Sequence, residues 1–105
     1  MKFVHLKAQV GSHDILKRIV ATCLRVASRI KDEFGVYDAD VDIELRDDTY
    51  WMEFEVSGSS GIATYKTPIL KESDVRLLSE YDIERYENYC NKILSKLAEL
   101  ATEEY

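Results

Sequence analysis

Residues 38–68 read DADVDIELRDDTYWMEFEVSGSSGIATYKTP, and this stretch decides the fold. Ala39, Val41, Ile43 and Leu45 alternate with Asp38, Asp40, Asp42, Glu44 and Arg46, which is the two-residue period of a strand with one apolar face. Asp47-Asp48 then offers a tight turn. Tyr50, Met52, Phe54 and Val56 alternate with Trp51, Glu53, Glu55 and Ser57 until Gly58-Ser59-Ser60-Gly61 interrupts the pattern. From Ile62 to Thr67 the alternation is weaker, with Ala63 and Tyr65 on one face and Thr64 and Lys66 on the other; Pro68 is expected to end the strand. The stretch therefore reads as a three-strand meander.

Two-residue turns at Asp47-Asp48 and Ser59-Ser60 dictate the pairing. Leu45 faces Tyr50, Glu44 faces Trp51, Asp42 faces Glu53 and Asp40 faces Glu55; on the other side, Val56 faces Ala63, Phe54 faces Tyr65 and Glu53 faces Lys66. Carboxylates thus oppose each other twice on one face.

Outward from the meander the chain turns helical on both sides. Ile15, Ile19, Cys23, Val26, Ile30 and Phe34 step by three or four, Leu16, Val20, Leu24 and Ala27 widen the stripe, and Gly35 marks its end. Ser12 is placed to cap this helix, with Asp14 in its first turn. Ser73-Asp74 begins a short helical piece, and Ser79 with Asp82 caps a long helix over about residues 80–103. Its stripe is Ile83, Tyr86, Cys90, Ile93, Leu97 and Leu100, with Leu94 and Ala101 beside it. Val4, Leu6, Ala8 and Val10 alternate with Phe3, His5, Lys7 and Gln9, which predicts one more strand over residues 2–10.

The expected order is β-α-β-β-β-α in a single domain spanning residues 1–105. A strand, a crossover helix and a second strand form a right-handed parallel unit, so the fold class is α+β: a two-layer α/β sandwich with a four-stranded mixed sheet and both helices on one face. Packed together, Val41, Ile43, Met52, Phe54, Ile19, Cys23, Ile93 and Leu97 form the core.

Composition limits the function. Twenty Asp and Glu against fourteen Lys and Arg give a formal net charge of −6, which opposes the attraction to phosphate behind most nonspecific nucleic-acid binding. No apolar run approaches the roughly 20 residues that cross a bilayer, and the N-terminal segment lacks the apolar block of a secretory signal. A soluble, cytoplasmic protein is expected. Cys23 and Cys90 stand without CxxC or Cys/His companions, so a zinc site or disulfide framework is not legible, and each thiol reads as buried and inert. The sequence carries no G-x-S-x-G, HExxH, P-loop or G-x-G-x-x-G pattern, and no enzyme activity or cofactor is expected.

The polar face of the meander is the candidate partner-binding surface. Asp40, Asp42, Glu44, Glu53 and Glu55 share it with Trp51, an aromatic residue on a polar register. Directly opposed carboxylates cost about 0.2–1 kcal/mol each unless a cation relieves them, so a protein partner with a basic surface fits. Lys66, His5 and Lys7 supply some relief internally. Carboxylates also suit Mg²⁺ or Ca²⁺, but no motif here fixes a coordination geometry, and no metal site is expected. A second candidate is the row Arg18, Arg25 and Arg29 on the first helix, spaced to lie on one stripe and suited to nucleic acid or an acidic partner. Tyr81, Tyr89 and Tyr105 lie off the apolar stripe of the last helix and offer a surface for a homodimer.

The β-α-β-β-β-α order resembles that of the ribosome-hibernation factors over most of the chain. That resemblance implies a ribosome- or RNA-associated module acting through the Arg18, Arg25 and Arg29 stripe. Where those proteins are basic, this chain departs from them, since its last helix carries Glu80, Asp82, Glu84 and Glu87.

Overall fold

The computed structural model describes residues 14–103. They form helix α1 (Asp14–Phe34), strands β1 (Asp38–Arg46), β2 (Thr49–Gly58) and β3 (Gly61–Lys71), a 3₁₀ turn (Glu72–Leu77) and helix α2 (Glu80–Thr102). The described order is thus α-β-β-β-α, and the sheet has three antiparallel strands in the order β1-β2-β3. This corrects the expected β-α-β-β-β-α order and four-stranded mixed sheet as far as the described residues go. The strand expected over residues 2–10 and the Ser12 cap lie outside them.

Both hairpins have the register that two-residue turns impose. Asp42 pairs with Glu53, Asp40 with Glu55, Glu44 with Trp51 and Leu45 with Tyr50; Glu53 pairs with Lys66 and Phe54 with Tyr65. Asp47 takes a positive φ of 55° in the first turn, a backbone state that Asp tolerates better than most residues. Pro68 does not end β3, which runs on to Lys71. The register there skips from Trp51↔Pro68 to Tyr50↔Leu70, leaving Ile69 as the extra residue of a bulge. An edge strand accommodates proline because the missing N–H need not face a neighbour.

Both helices cover the face bearing Ala39, Val41, Ile43, Tyr50, Met52, Phe54 and Val56, all of them buried, which makes a two-layer α+β arrangement. Arg18 donates to Glu80 at 2.9 Å and Arg29 to Asn91 at 2.7 Å. Both links span the same 62-residue separation, so α1 and α2 run side by side in the same direction. The α1 stripe is buried as its spacing predicts, with Ile15, Leu24 and Phe34 at its margins. On α2 the buried line is Tyr86, Cys90, Leu94, Leu97, Ala98 and Ala101, while Ile83 and Ile93 are only partly buried and Leu100 is exposed. A straight helix with 3.6 residues per turn drifts away from a four-three stripe, which brings Leu94 and Ala98 to the buried side.

Two local contacts set the ends of α2. At its start the Ser79 N–H donates to the Asp82 carboxylate at 2.8 Å, and Arg85 donates to the same carboxylate at 2.9 Å. The hydrogen bond from Ser79, reinforced by Arg85, holds the Asp82 carboxyl below the ordinary carboxylate range. At its end the β2–β3 turn docks against the helix: the Ser60 N–H donates to the Ala101 carbonyl at 2.7 Å, and the Ser60 hydroxyl to the Glu103 carbonyl. Gly58 is required beneath this contact, because a Cβ there would lie 2.7 Å from the Ala101 oxygen.

Candidate functional site

The open face of the sheet is built by the alternation described above. Val41, Ile43, Met52 and Phe54 turn toward the helices, which forces Asp40, Asp42, Glu44, Trp51, Glu53 and Glu55 onto the opposite face. The structure therefore brings all six candidate residues onto one surface. Their surroundings differ. Asp40 and Asp42 are only 7% and 8% exposed, whereas Glu44, Trp51, Glu53 and Glu55 are half-buried. Asp40, Asp42 and Glu44 each have an interaction partner.

Cations organise the rest of the face. Arg46 donates to Glu44 at 3.0 Å and to Glu53 at 2.7 Å, and the Lys66 ammonium lies 3.4 Å from the same Glu53 oxygen. The hydrogen bond to Glu44, followed by the attraction of both carboxylates, raises the Arg46 guanidinium further above its ordinary range. Lys66 also sits 5.6 Å from the centre of the Trp51 ring, in cation–π range. Glu55, by contrast, makes no ion pair with any described residue.

Asp40, Asp42, Glu53, Glu55, Thr64 and Lys66, with the rims of Phe54 and Tyr65, line a concavity of about 300 Å³ on this face. Among the described residues four carboxylates, of which Asp40 and Asp42 are already engaged, and one ammonium make it an acidic hollow. Among the described residues no cluster of His, Cys, Asp and Glu is arranged to hold a metal ion. Arg46 is the contributor that reading the sequence for carboxylates passes over. Its signal is present, since it lies two residues from Glu44 on the same face of β1.

The second candidate, the arginine row of α1, is exposed at all three positions, and each arginine also has a partner. Arg18 and Arg29 are tied to Glu80 and Asn91 of α2, Arg29 also lies 3.8 Å from Glu33, and Arg25 donates to the Thr22 hydroxyl at 3.0 Å. The Ser57–Gly61 segment, whose glycines and serines would suit an anion, instead uses the Ser60 N–H on the end of α2. Of the tyrosines off the α2 stripe, Tyr81 is exposed, Tyr89 packs its edge on Phe54 with ring centres 6.1 Å apart, and Tyr105 lies outside the described residues. No described helix is long and apolar enough to cross a membrane. Comparison with protein-family models, curated proteins and solved structures finds no match for this chain.

Proposed function

We propose that this chain is a non-enzymatic protein-interaction module, an adaptor, inhibitor or small chaperone, whose partner presents a basic surface to the open sheet face. The observation that carries this reading is the acidic hollow between Glu53, Glu55, Asp40 and Asp42, flanked on β2 by the half-buried Trp51. A partner's Arg or Lys entering the hollow gains the attraction of Glu55, which no described cation neutralises, and competes with Lys66 for Glu53. Trp51 adds apolar area and a ring face on which a guanidinium stacks. Complementary charge of this kind acts mainly on the association rate, and a buried aromatic anchor on the dissociation rate.

The test begins with capture of the native partner on the immobilised chain, with nuclease treatment to separate protein from RNA. Binding kinetics are then measured for the Glu53→Gln/Glu55→Gln double variant and for Trp51→Ala. Association of the double variant should slow by about tenfold at low salt, and dissociation of Trp51→Ala should quicken. If both rate constants stay within about twofold of the original for every variant, the face is merely solvated. Capture that nuclease abolishes would favour the arginines of α1 instead.

A further inference from the structure

We propose that Cys23 and Cys90 constitute a dithiol modification site that a small disulfide compound converts into a covalent link between α1 and α2. The two residues lie 67 positions apart, on different helices, and meet under the middle of the sheet. The Cys90 thiol donates to the Cys23 sulfur at 2.7 Å, with the Met52 sulfur 3.8 Å from Cys90. Non-bonded heavy atoms rest about 3.5–4.0 Å apart, so the two sulfurs are already inside that contact distance. The remaining travel to a sulfur–sulfur bond of about 2.05 Å is well under an ångström.

The surroundings favour closure over other fates of the thiols. Both cysteines are fully buried in the apolar core, and the contacts of the Cys90 sulfur are with the sulfurs of Cys23 and Met52. The pair is held by the ties from Arg18 to Glu80 and from Arg29 to Asn91, which fix the two helices on either side of it. Contact with Cys23 and burial push the Cys90 thiol far above its ordinary range, so its thiolate is scarce while it stays buried.

The chemistry balances with one small disulfide as oxidant. One cysteine sulfur attacks it, forming a mixed disulfide and releasing the first small thiol; the second cysteine then attacks the protein sulfur and releases the second. One sulfur–sulfur bond breaks and one forms. The two cysteine protons end on the two departing thiols, the protein dithiol is oxidised and the small disulfide is reduced. This site is independent of the acidic face, which lies on the other side of the sheet.

Equilibrium in a glutathione redox buffer tests the proposal without depending on how fast the buried thiols react. The full chain is equilibrated from both the reduced and the oxidised side, once in native buffer and once in concentrated urea. Acid quenching and intact mass then give the ratio of cross-linked to dithiol monomer. Because the fold holds the sulfurs together, the native ratio should exceed the urea ratio by at least about tenfold at the same glutathione poise, with peptide mapping joining Cys23 to Cys90. A native ratio equal to or below the urea ratio overturns the proposal, as does a cross-link that joins two chains rather than two helices of one.

Discussion

Strands β1 and β3 form opposite flanks of the described sheet and are written in much the same alphabet of alternating polar and apolar residues, yet they finish in opposite environments. From Ala39 to Ile43 every position of β1 is buried, carboxylates included. Along β3 no position is, and Ile62 is 70% exposed. A charged Asp42 at 8% exposure and an aliphatic Ile62 at 70% invert what hydropathy alone would assign. Alternation decides which face of a strand a side chain occupies. How much of that face is covered depends on neighbours brought from elsewhere in the chain, and here the cover is concentrated at the β1 flank.

The sharpest way to break this comparison is to truncate an isoleucine on each flank. Ile43→Ala should lower stability by about 2–5 kcal/mol through the cavity left in the core, while Ile62→Ala should stay within about 0.5 kcal/mol of the original. Denaturant titrations of the two variants check it, and similar losses would show that the flanks are equally covered. Next in size is a neutralisation on the open face itself. Asp42→Asn should cost about 1–3 kcal/mol because its carboxylate is buried and engaged, whereas Glu55→Gln should leave stability within about 0.5 kcal/mol. A stabilising Asp42→Asn would mean that relief of its repulsion with Glu53 outweighs what the carboxylate holds.

The smallest effect belongs to the strand between the flanks. The Tyr50 hydroxyl is buried and has no hydrogen-bond partner among the described residues. Tyr50→Phe should therefore be neutral or stabilising by up to about 1 kcal/mol at neutral pH. Burial, with the charge of Glu72 second, raises the Tyr50 phenol above its ordinary range, and burial likewise raises Tyr86 and Tyr89. The folded chain then holds these protons more tightly than the unfolded one. That contribution is complete below about pH 10 and is lost as pH rises through the folded values. Thermal melts between neutral and strongly alkaline pH should show a shallower decline for Tyr50→Phe than for the original chain, and parallel declines would rule out the contribution of this phenol.

What was legible in the sequence was local. Asp47-Asp48 and Ser59-Ser60 set both hairpin registers, α1 stops where Gly35 places its end, and α2 starts where Ser79 places its cap. Pro68 misled because the bulge at Ile69 and an edge position let the strand continue past it. The three-or-four spacing of α2 gave its length but placed Leu100 inside and left Ala98 out, since a 3.6-residue turn drifts off a four-three stripe. The members of the acidic face followed from alternation. Its unequal cover did not, because alternation fixes the face of a side chain and not how much of that face is covered. The pairing of Cys23 with Cys90 was hidden as well: neither position carries a local signature, and only the parallel packing of α1 and α2 brings them together.

The measurement that bears most directly on the central claim, that the open acidic face receives a basic partner, is a nitrogen-15 amide titration with a short arginine- and lysine-rich peptide. Trp51 is the only tryptophan of the chain, so its indole reports the site in the same spectra. The account predicts shifts confined to Trp51, Glu53, Glu55, Thr64 and Lys66, weakened by about tenfold in the Glu53→Gln/Glu55→Gln variant and by added salt. Shifts centred on α1 or α2, or an indole and sheet that do not respond while the peptide binds, would contradict it.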